Sequence, residues 1–113
     1  MIAVLGLAAC GGGGGGSKTT KKAVGGAITI DAHDPSSFSI DTIEATPGPL
    51  TVTLKNDGNI KHTFKILGTN FELKTDGGKQ ATGTVTLKKG TYDFECTIPG
   101  HAAAGMKGKV VVS

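Results

Sequence analysis

The sequence predicts an all-β protein, a single β-sandwich of about seven to eight short strands. Its segments alternate apolar and polar residues, as strands with one buried face do. Turn-forming residues separate these segments at the spacing typical of a sandwich, and no segment shows a convincing helical period. Four Phe, one Tyr and no Trp leave Val, Ile and Leu to fill the core, which favours strands. A chain of 113 residues is expected to hold one such domain.

Residues 1–9 are predicted to be a lipoprotein signal peptide, cut before Cys10. The run is apolar, and Leu7-Ala-Ala-Cys10 resembles the motif in which small residues precede a cysteine that becomes acylated. A buried strand and an ordinary signal peptide are the alternatives, but the glycine run directly after Cys10 is unsuited to packing. The apolar run is short and has no Lys or Arg before it, which suggests a truncated signal. Two or more acyl chains at Cys10 would anchor the protein to a membrane surface.

Residues 10–26 are predicted to form a flexible linker, because six consecutive glycines are followed by a polar, lysine-rich stretch. Three lysines fall in the linker, which leaves nine lysines against nine acidic residues in the domain at 27–113. That domain is formally neutral, and the chain contains no Arg. Nucleic-acid binding therefore loses its main support.

Within 27–113 the expected strands follow one another along the chain. A long strand with a parity slip near Thr42 suggests a bulge, and the Thr46-Pro-Gly-Pro49 breaker ends it. Residues 68–79 are polar and contain glycine, so we expect a loop there with Phe71 and Leu73 as packing points. The predicted strands are 27–30, 38–45, 50–55, 62–67, 85–87, 92–96 and 108–112.

A short loop near the end of the chain carries a thiol, an imidazole and a thioether. Four residues separate Cys96 from His101, and four more separate His101 from Met106. Strand patterns on both sides direct these side chains inward, at the end of the core. Thiolate and thioether ligands suit copper, whereas zinc has no use for Met106. One Cys, two His and a weak axial Met is the ligand set of a blue-copper electron-transfer site.

His62 is the candidate for the second imidazole, because it shares a strand face with Phe64 and Ile66. A lone strand histidine is more often structural, and only its combination with the downstream residues favours a ligand. His33 has no soft-ligand neighbours in sequence and is expected to be a solvated loop residue. With Cys10 acylated, Cys96 is the remaining thiol; a Cys10–Cys96 disulfide is the less favoured alternative, since it would tether a glycine tail to the core.

Three segments together resemble the cupredoxins, the type 1 blue copper proteins of the azurin, auracyanin and plastocyanin kind. They are NDGNIKHTF at 56–64, LKKGTYDFEC at 87–96 and CTIPGHAAAGMKG at 96–108. The resemblance implies a Greek-key sandwich and one copper ion held by His62, Cys96 and His101, with Met106 axial. It also implies a tyrosine-corner role for Tyr92, with ordinary core packing as the alternative.

The resemblance further implies hydrogen bonds from the Thr63 and Ile98 amides to the Cys96 sulfur, which would raise the reduction potential. It suggests that electrons leave through the edge of His101. The residues around that edge are small and uncharged: Pro99, Gly100, Ala102, Ala103 and Ala104.

These features predict a monomeric, membrane-anchored electron carrier outside the cytoplasm, not an enzyme. Its expected partners are redox proteins such as cytochromes, oxidases or reductases. The chain has no His-x-His pair for further metals and no second Cys in the ligand loop for a dinuclear site. A copper chaperone or storage lipoprotein is the main alternative, and a copper-free structural lipoprotein is the third.

Overall fold

This computed structural model describes residues 19–113, which contain ten strands and no helix. The predicted signal peptide, Cys10 and the glycine run lie outside the described residues. No helix within 19–113 is long and apolar enough to cross a membrane. The strands are β1 Thr20–Lys22, β2 Ala27–His33, β3 Ser37–Phe38, β4 Thr42–Ala45, β5 Gly48–Asn56, β6 His62–Ile66, β7 Glu72–Thr75, β8 Gln80–Leu87, β9 Gly90–Glu95 and β10 Lys107–Val112.

The strands form two sheets packed face to face, which confirms the predicted all-β sandwich. The six-stranded sheet has the order β1-β4-β10-β9-β6-β7, and the four-stranded sheet has the order β3-β2-β5-β8. Pairing is antiparallel except between β1 and β4, β4 and β10, and β2 and β5. The mixed sheets arise because the chain crosses repeatedly from one layer to the other.

An aromatic cluster bridges the two sheets beneath the end of the sandwich where β6 starts and β9 stops. Phe64 on β6 and Phe94 on β9 are fully buried, with ring centroids 4.8 Å apart. Phe38 from the other sheet packs edge-on against both rings, at 5.8 and 5.5 Å. Such pairs add stability beyond the area they bury. They also fix the two strands that carry His62 and lead to Cys96.

The predicted strand at 38–45 is in fact two strands in different sheets. Phe38 ends β3 in the four-stranded sheet, and Thr42 begins β4 in the six-stranded sheet. Between them Ile40 is buried, and the Ser39 amide bonds the Asp31 carbonyl at 2.9 Å. The parity slip near Thr42 therefore marks a crossing between the layers, because each layer buries the opposite side of the chain. A bulge was the wrong interpretation.

Two strands lie where the sequence predicted none. The predicted flexible linker is wrong for Thr20–Lys22, which pairs in parallel with β4 as an exposed edge strand. Lysines on an edge strand are a usual protection against further pairing. The predicted loop at 68–79 contains β7, which buries Leu73 and Thr75 and pairs with β6. Both strands lie at sheet edges, where backbone pairing matters more than side-chain pattern.

Candidate metal centre

The strands bring the four predicted ligand residues to one end of the six-stranded sheet. β6 begins at His62, β9 ends just before Cys96, and β10 begins just after Met106. Backbone hydrogen bonds close the loop between the last two strands. The Cys96 amide bonds the Met106 carbonyl at 3.0 Å, and the Met106 amide bonds the His101 carbonyl at 3.0 Å. The loop therefore holds three of the four residues in a fixed relation.

Ligand atoms of His62, Cys96 and His101 all lie within 4.8 Å of one another. The Cys96 sulfur is 3.4 Å from His101 Nδ1, and the centroids of the two imidazole rings are 5.2 Å apart. His62, Cys96 and Met106 are buried, whereas His101 is half-buried at the surface. Together the four residues form a type 1 copper site arrangement, with His101 at its exposed side.

His62 provides an independent test of whether these residues suit a metal ion. Its ring is fully buried, and its Nδ1 is a buried polar atom without a hydrogen-bond partner among the described residues. Buried polar atoms are nearly always paired, so an unpaired one requires an explanation. A metal ion that binds the Nδ1 lone pair supplies that explanation. The donor set and the unpaired nitrogen both fit copper.

Asp34 holds the other nitrogen of His62. The Nε2–H donates to Asp34 Oδ1 at 3.0 Å, which fixes the proton on Nε2 and leaves the Nδ1 lone pair free. Metal-binding histidines commonly donate their second nitrogen in this way. No motif in the sequence connects Asp34 with His62. The two residues are 28 positions apart, and only the folded loops bring them together.

The loop before β6 is built around the Asp34 carboxylate. The Asn59 amide donates to Asp34 Oδ2 at 2.6 Å, and a Cβ at Gly58 would collide with the same carboxylate. Asn56 secures the loop by bonding the Ile60 carbonyl at 2.8 Å and the Gly58 amide at 2.9 Å. The bonds from Asn59 and His62 hold the pKa of the Asp34 carboxyl below its ordinary value of 3.8. Asp34 is therefore ionised at neutral pH.

Two polar groups of Thr63 lie near the Cys96 sulfur on the β6 side. Its amide lies 3.4 Å from the sulfur, as expected, and its hydroxyl oxygen lies 3.7 Å away. The expected second amide, that of Ile98, is not among the sulfur's hydrogen-bond partners within 19–113. Ile98 instead contributes its carbonyl, which accepts from the His101 amide at 3.0 Å. The prediction of a bond from the Ile98 amide was therefore wrong.

The structure also decides the two remaining side-chain predictions. The Tyr92 hydroxyl donates to the Lys88 carbonyl at 2.9 Å and accepts from the Lys88 amide at 3.2 Å, so it forms a tyrosine corner. His33 lies at the end of β2 instead of in a loop, and its Nδ1 is 2.7 Å from Asp57 Oδ2. It is partly exposed and does not belong to the cluster of three ligand residues.

Comparison with known proteins supports this geometry. The model of the copper-binding plastocyanin/azurin family matches residues 26–113, most of the chain. The copper-resistant cuproprotein CopI of Rubrivivax gelatinosus is 32% identical, with 64% of this chain and 61% of that protein covered. A rusticyanin of Acidithiobacillus ferrooxidans is 43% identical over 42% of this chain and 32% of its own length. The chain thus spans about three fifths of one relative and about a third of the other.

Solved structures agree with the family match. Reduced auracyanin from Roseiflexus castenholzii superposes with a TM-score of 0.72 at 24% identity, covering 78% of this chain and 97% of that one. Reduced rusticyanin superposes with a TM-score of 0.63 at 25% identity, covering 83% and 84%. The predicted fold and the predicted cofactor, copper, are confirmed. The chain belongs to the plastocyanin/azurin family of copper-binding proteins, the cupredoxins.

Proposed function

We propose that this chain carries single electrons, using a copper ion held by His62, Cys96 and His101 with Met106 as the weak axial ligand. The observation that carries the proposal is the buried cluster of two imidazoles and a thiol with the unpaired Nδ1 of His62 directed into it. Copper bound there supplies a one-electron Cu(I)/Cu(II) couple. An electron accepted from a reduced partner is later passed to an oxidised one, and the protein makes or breaks no substrate bond.

The residues around the site favour fast transfer because they resist movement. Asp34 accepts a hydrogen bond from His62. Cys96 is held by the Thr63 amide and by the Met106 carbonyl. Both ligand residues lie at the ends of paired strands. A site held between the geometries preferred by Cu(I) and Cu(II) needs little rearrangement when the charge changes. The fold thereby lowers the reorganisation that accompanies each transfer.

His101 is the proposed route for the electron, since it is the ligand residue that reaches the surface. The loop beside it presents small side chains from Ala102 to Ala104. A partner could approach closely over such a surface. The Lys61 Nζ lies 3.6 Å from Asp76 Oδ1, and this ion pair reduces the attraction of Lys61 for acidic partners.

Location and partners extend this proposal. We infer a site of action outside the cytoplasm, with a lipid anchor at Cys10 and redox proteins such as cytochromes, oxidases or reductases as donors and acceptors. The support is the signal-like segment and the small residues before Cys10. Mass spectrometry of the protein from membranes would test the anchor: a diacylglycerol adduct on Cys10 is expected, and an unmodified mature chain would refute it.

Copper handling is the second candidate, because the relative CopI is described as a copper-resistant cuproprotein. In that role the protein would bind and release copper instead of cycling its charge. The two roles differ in how readily the metal leaves. A carrier should retain Cu(I) against a competing chelator for much longer than one redox cycle, whereas a chaperone should surrender it quickly.

A visible spectrum tests the main proposal. The metal-free protein is titrated with one equivalent of Cu(II), and an intense blue band that vanishes on reduction is expected from thiolate-to-copper charge transfer. Cys96→Ser, which removes the thiolate while keeping a similar volume, should bind without the band. Tight Cu(II) binding by the natural chain with no blue band would refute the electron-carrier proposal and favour copper handling.

A further inference from the structure

A chain of hydroxyl groups connects the Cys96 sulfur with a carboxylate on the neighbouring edge strand. Thr63 Oγ1 lies 3.7 Å from the sulfur and 2.8 Å from Thr97 Oγ1. The Thr97 hydroxyl in turn donates to Glu72 Oε2 at 2.7 Å. Thr63 is buried, whereas Thr97 and Glu72 reach the surface. Thr97 and Glu72 therefore act on the sulfur only through the side chain of Thr63.

The number of available hydrogens determines which group donates in each of these hydrogen bonds. A threonine hydroxyl has one hydrogen to donate, and an ionised carboxylate only accepts. Glu72 therefore accepts the hydrogen bond from the Thr97 hydroxyl. Thr63 Oγ1 already accepts from the Thr97 amide at 2.6 Å. Its 2.8 Å contact with Thr97 Oγ1 then requires the Thr63 hydrogen, because two lone pairs would otherwise face each other. The Thr63 hydroxyl is thus turned away from the sulfur, which keeps only the Thr63 amide at 3.4 Å.

We propose that Glu72 is a positioning residue for the copper site, acting through Thr97 and Thr63 to withhold a hydrogen bond from the Cys96 sulfur. The inference rests on the proposed electron-carrier function. A hydrogen bond to a thiolate withdraws charge from it and favours Cu(I) over Cu(II). By withholding one, Glu72 keeps the reduction potential lower than the remaining residues would set it.

Removing the carboxylate should reverse the direction of the hydrogen bond between Thr63 and Thr97. In Glu72→Ala the Thr97 hydroxyl is free to donate to Thr63 Oγ1, and the Thr63 hydrogen can turn to the sulfur. The new hydrogen bond should raise the ratio of Cu(I) to Cu(II) affinity by up to about tenfold. A tenfold change corresponds to about 59 mV for one electron. Loss of a negative charge raises the potential as well, so the two causes need separation.

A double-mutant cycle separates them. Thr97→Val removes the middle hydroxyl, so the Thr63 hydrogen reaches the sulfur whether or not Glu72 is present. The potential should rise in Thr97→Val alone, and Glu72→Ala should then add only the effect of its charge. Glu95→Ala is the matched charge control, because Glu95 adjoins Cys96 and its carboxylate has no hydrogen bond or ion pair among residues 19–113. Thr97→Ser, which restores the hydroxyl, should return the potential to the natural value.

Voltammetry of the copper-loaded proteins gives the result, and each outcome has one meaning. A smaller shift for Glu72→Ala in the Thr97→Val background than in the natural chain supports the proposal, and Glu95→Ala shows the kind of shift that loss of a nearby charge causes by itself. Equal shifts in both backgrounds overturn it, since charge alone then explains the effect. Failure of Thr97→Ser to restore the potential also overturns it, and guards against misfolding of the valine variant. A natural chain without a reversible blue-copper couple would instead refute the electron-carrier function itself.

Discussion

Replacing Asp34 by alanine is expected to weaken Cu(II) binding, although Asp34 is not a ligand. The change leaves the Nε2–H of a fully buried imidazole without its acceptor. A buried donor left unpaired costs about 1–3 kcal/mol. Copper binding requires the Nδ1 lone pair and so keeps the proton on Nε2, where the variant has no acceptor, whereas the metal-free imidazole can carry its proton on either nitrogen. The cost therefore appears in the affinity, as a loss of about fivefold to 140-fold.

Competition between the protein and a chelator measures this loss, and nitrogen NMR of the metal-free imidazoles reports which nitrogen of His62 carries the proton. Asp34→Asn keeps an oxygen acceptor and should lose less affinity than Asp34→Ala. Asp57→Ala is the matched control, because Asp57 pairs with the exposed His33 instead of a ligand residue. Unchanged affinity in Asp34→Ala, with the proton still on Nε2, would refute the reasoning.

Four further predictions follow from single contacts. Met106→Gln replaces a soft ligand with a harder one and should lower the reduction potential; an unchanged potential would mean that Met106 is not axial. Tyr92→Phe removes both hydrogen bonds to Lys88 and should cost about 1 kcal/mol in urea unfolding, whereas no loss would deny the corner a stabilising role. Gly108→Ala should cost about 1–3 kcal/mol or more, because its Cβ would collide with the Asp41 carbonyl; full stability would contradict that contact. The lowered Asp34 pKa makes its stabilising effect complete above the ordinary value of 3.8 and lost as the pH falls through the lower folded value. Metal-free Asp34→Asn should therefore lose less stability on acidification than the natural chain, and parallel losses would contradict this.

The sequence predicted three of the four ligand residues because they are close together in the chain and chemically distinctive. Cys96, His101 and Met106 occupy one loop, and a thiol beside a thioether indicates copper on chemical grounds alone. Tyr92 was predictable from the family resemblance but not from the residues themselves. The sandwich followed from strand periodicity, which a buried face imposes on every central strand.

The features that the sequence missed depend on contacts between distant segments. Asp34 reaches His62 across 28 residues, and Glu72 reaches Thr97 across 25. Neither carboxylate differs in sequence from an ordinary surface acid. The edge strand β1 was missed for another reason: all three of its residues are exposed, so no apolar pattern identifies it, and backbone pairing with β4 defines it.

The pairing of β1 determines how the domain would face a membrane. β1 runs parallel to β4 and β10, and Thr20 is level with Thr42 and therefore with Lys109, three residues beyond Met106. The chain thus enters the sandwich at the metal-bearing end. The proposed anchor at Cys10 would be separated from that end by residues 11–19. With that proposed anchor, the copper end of the domain would be the end nearest to the lipid headgroups.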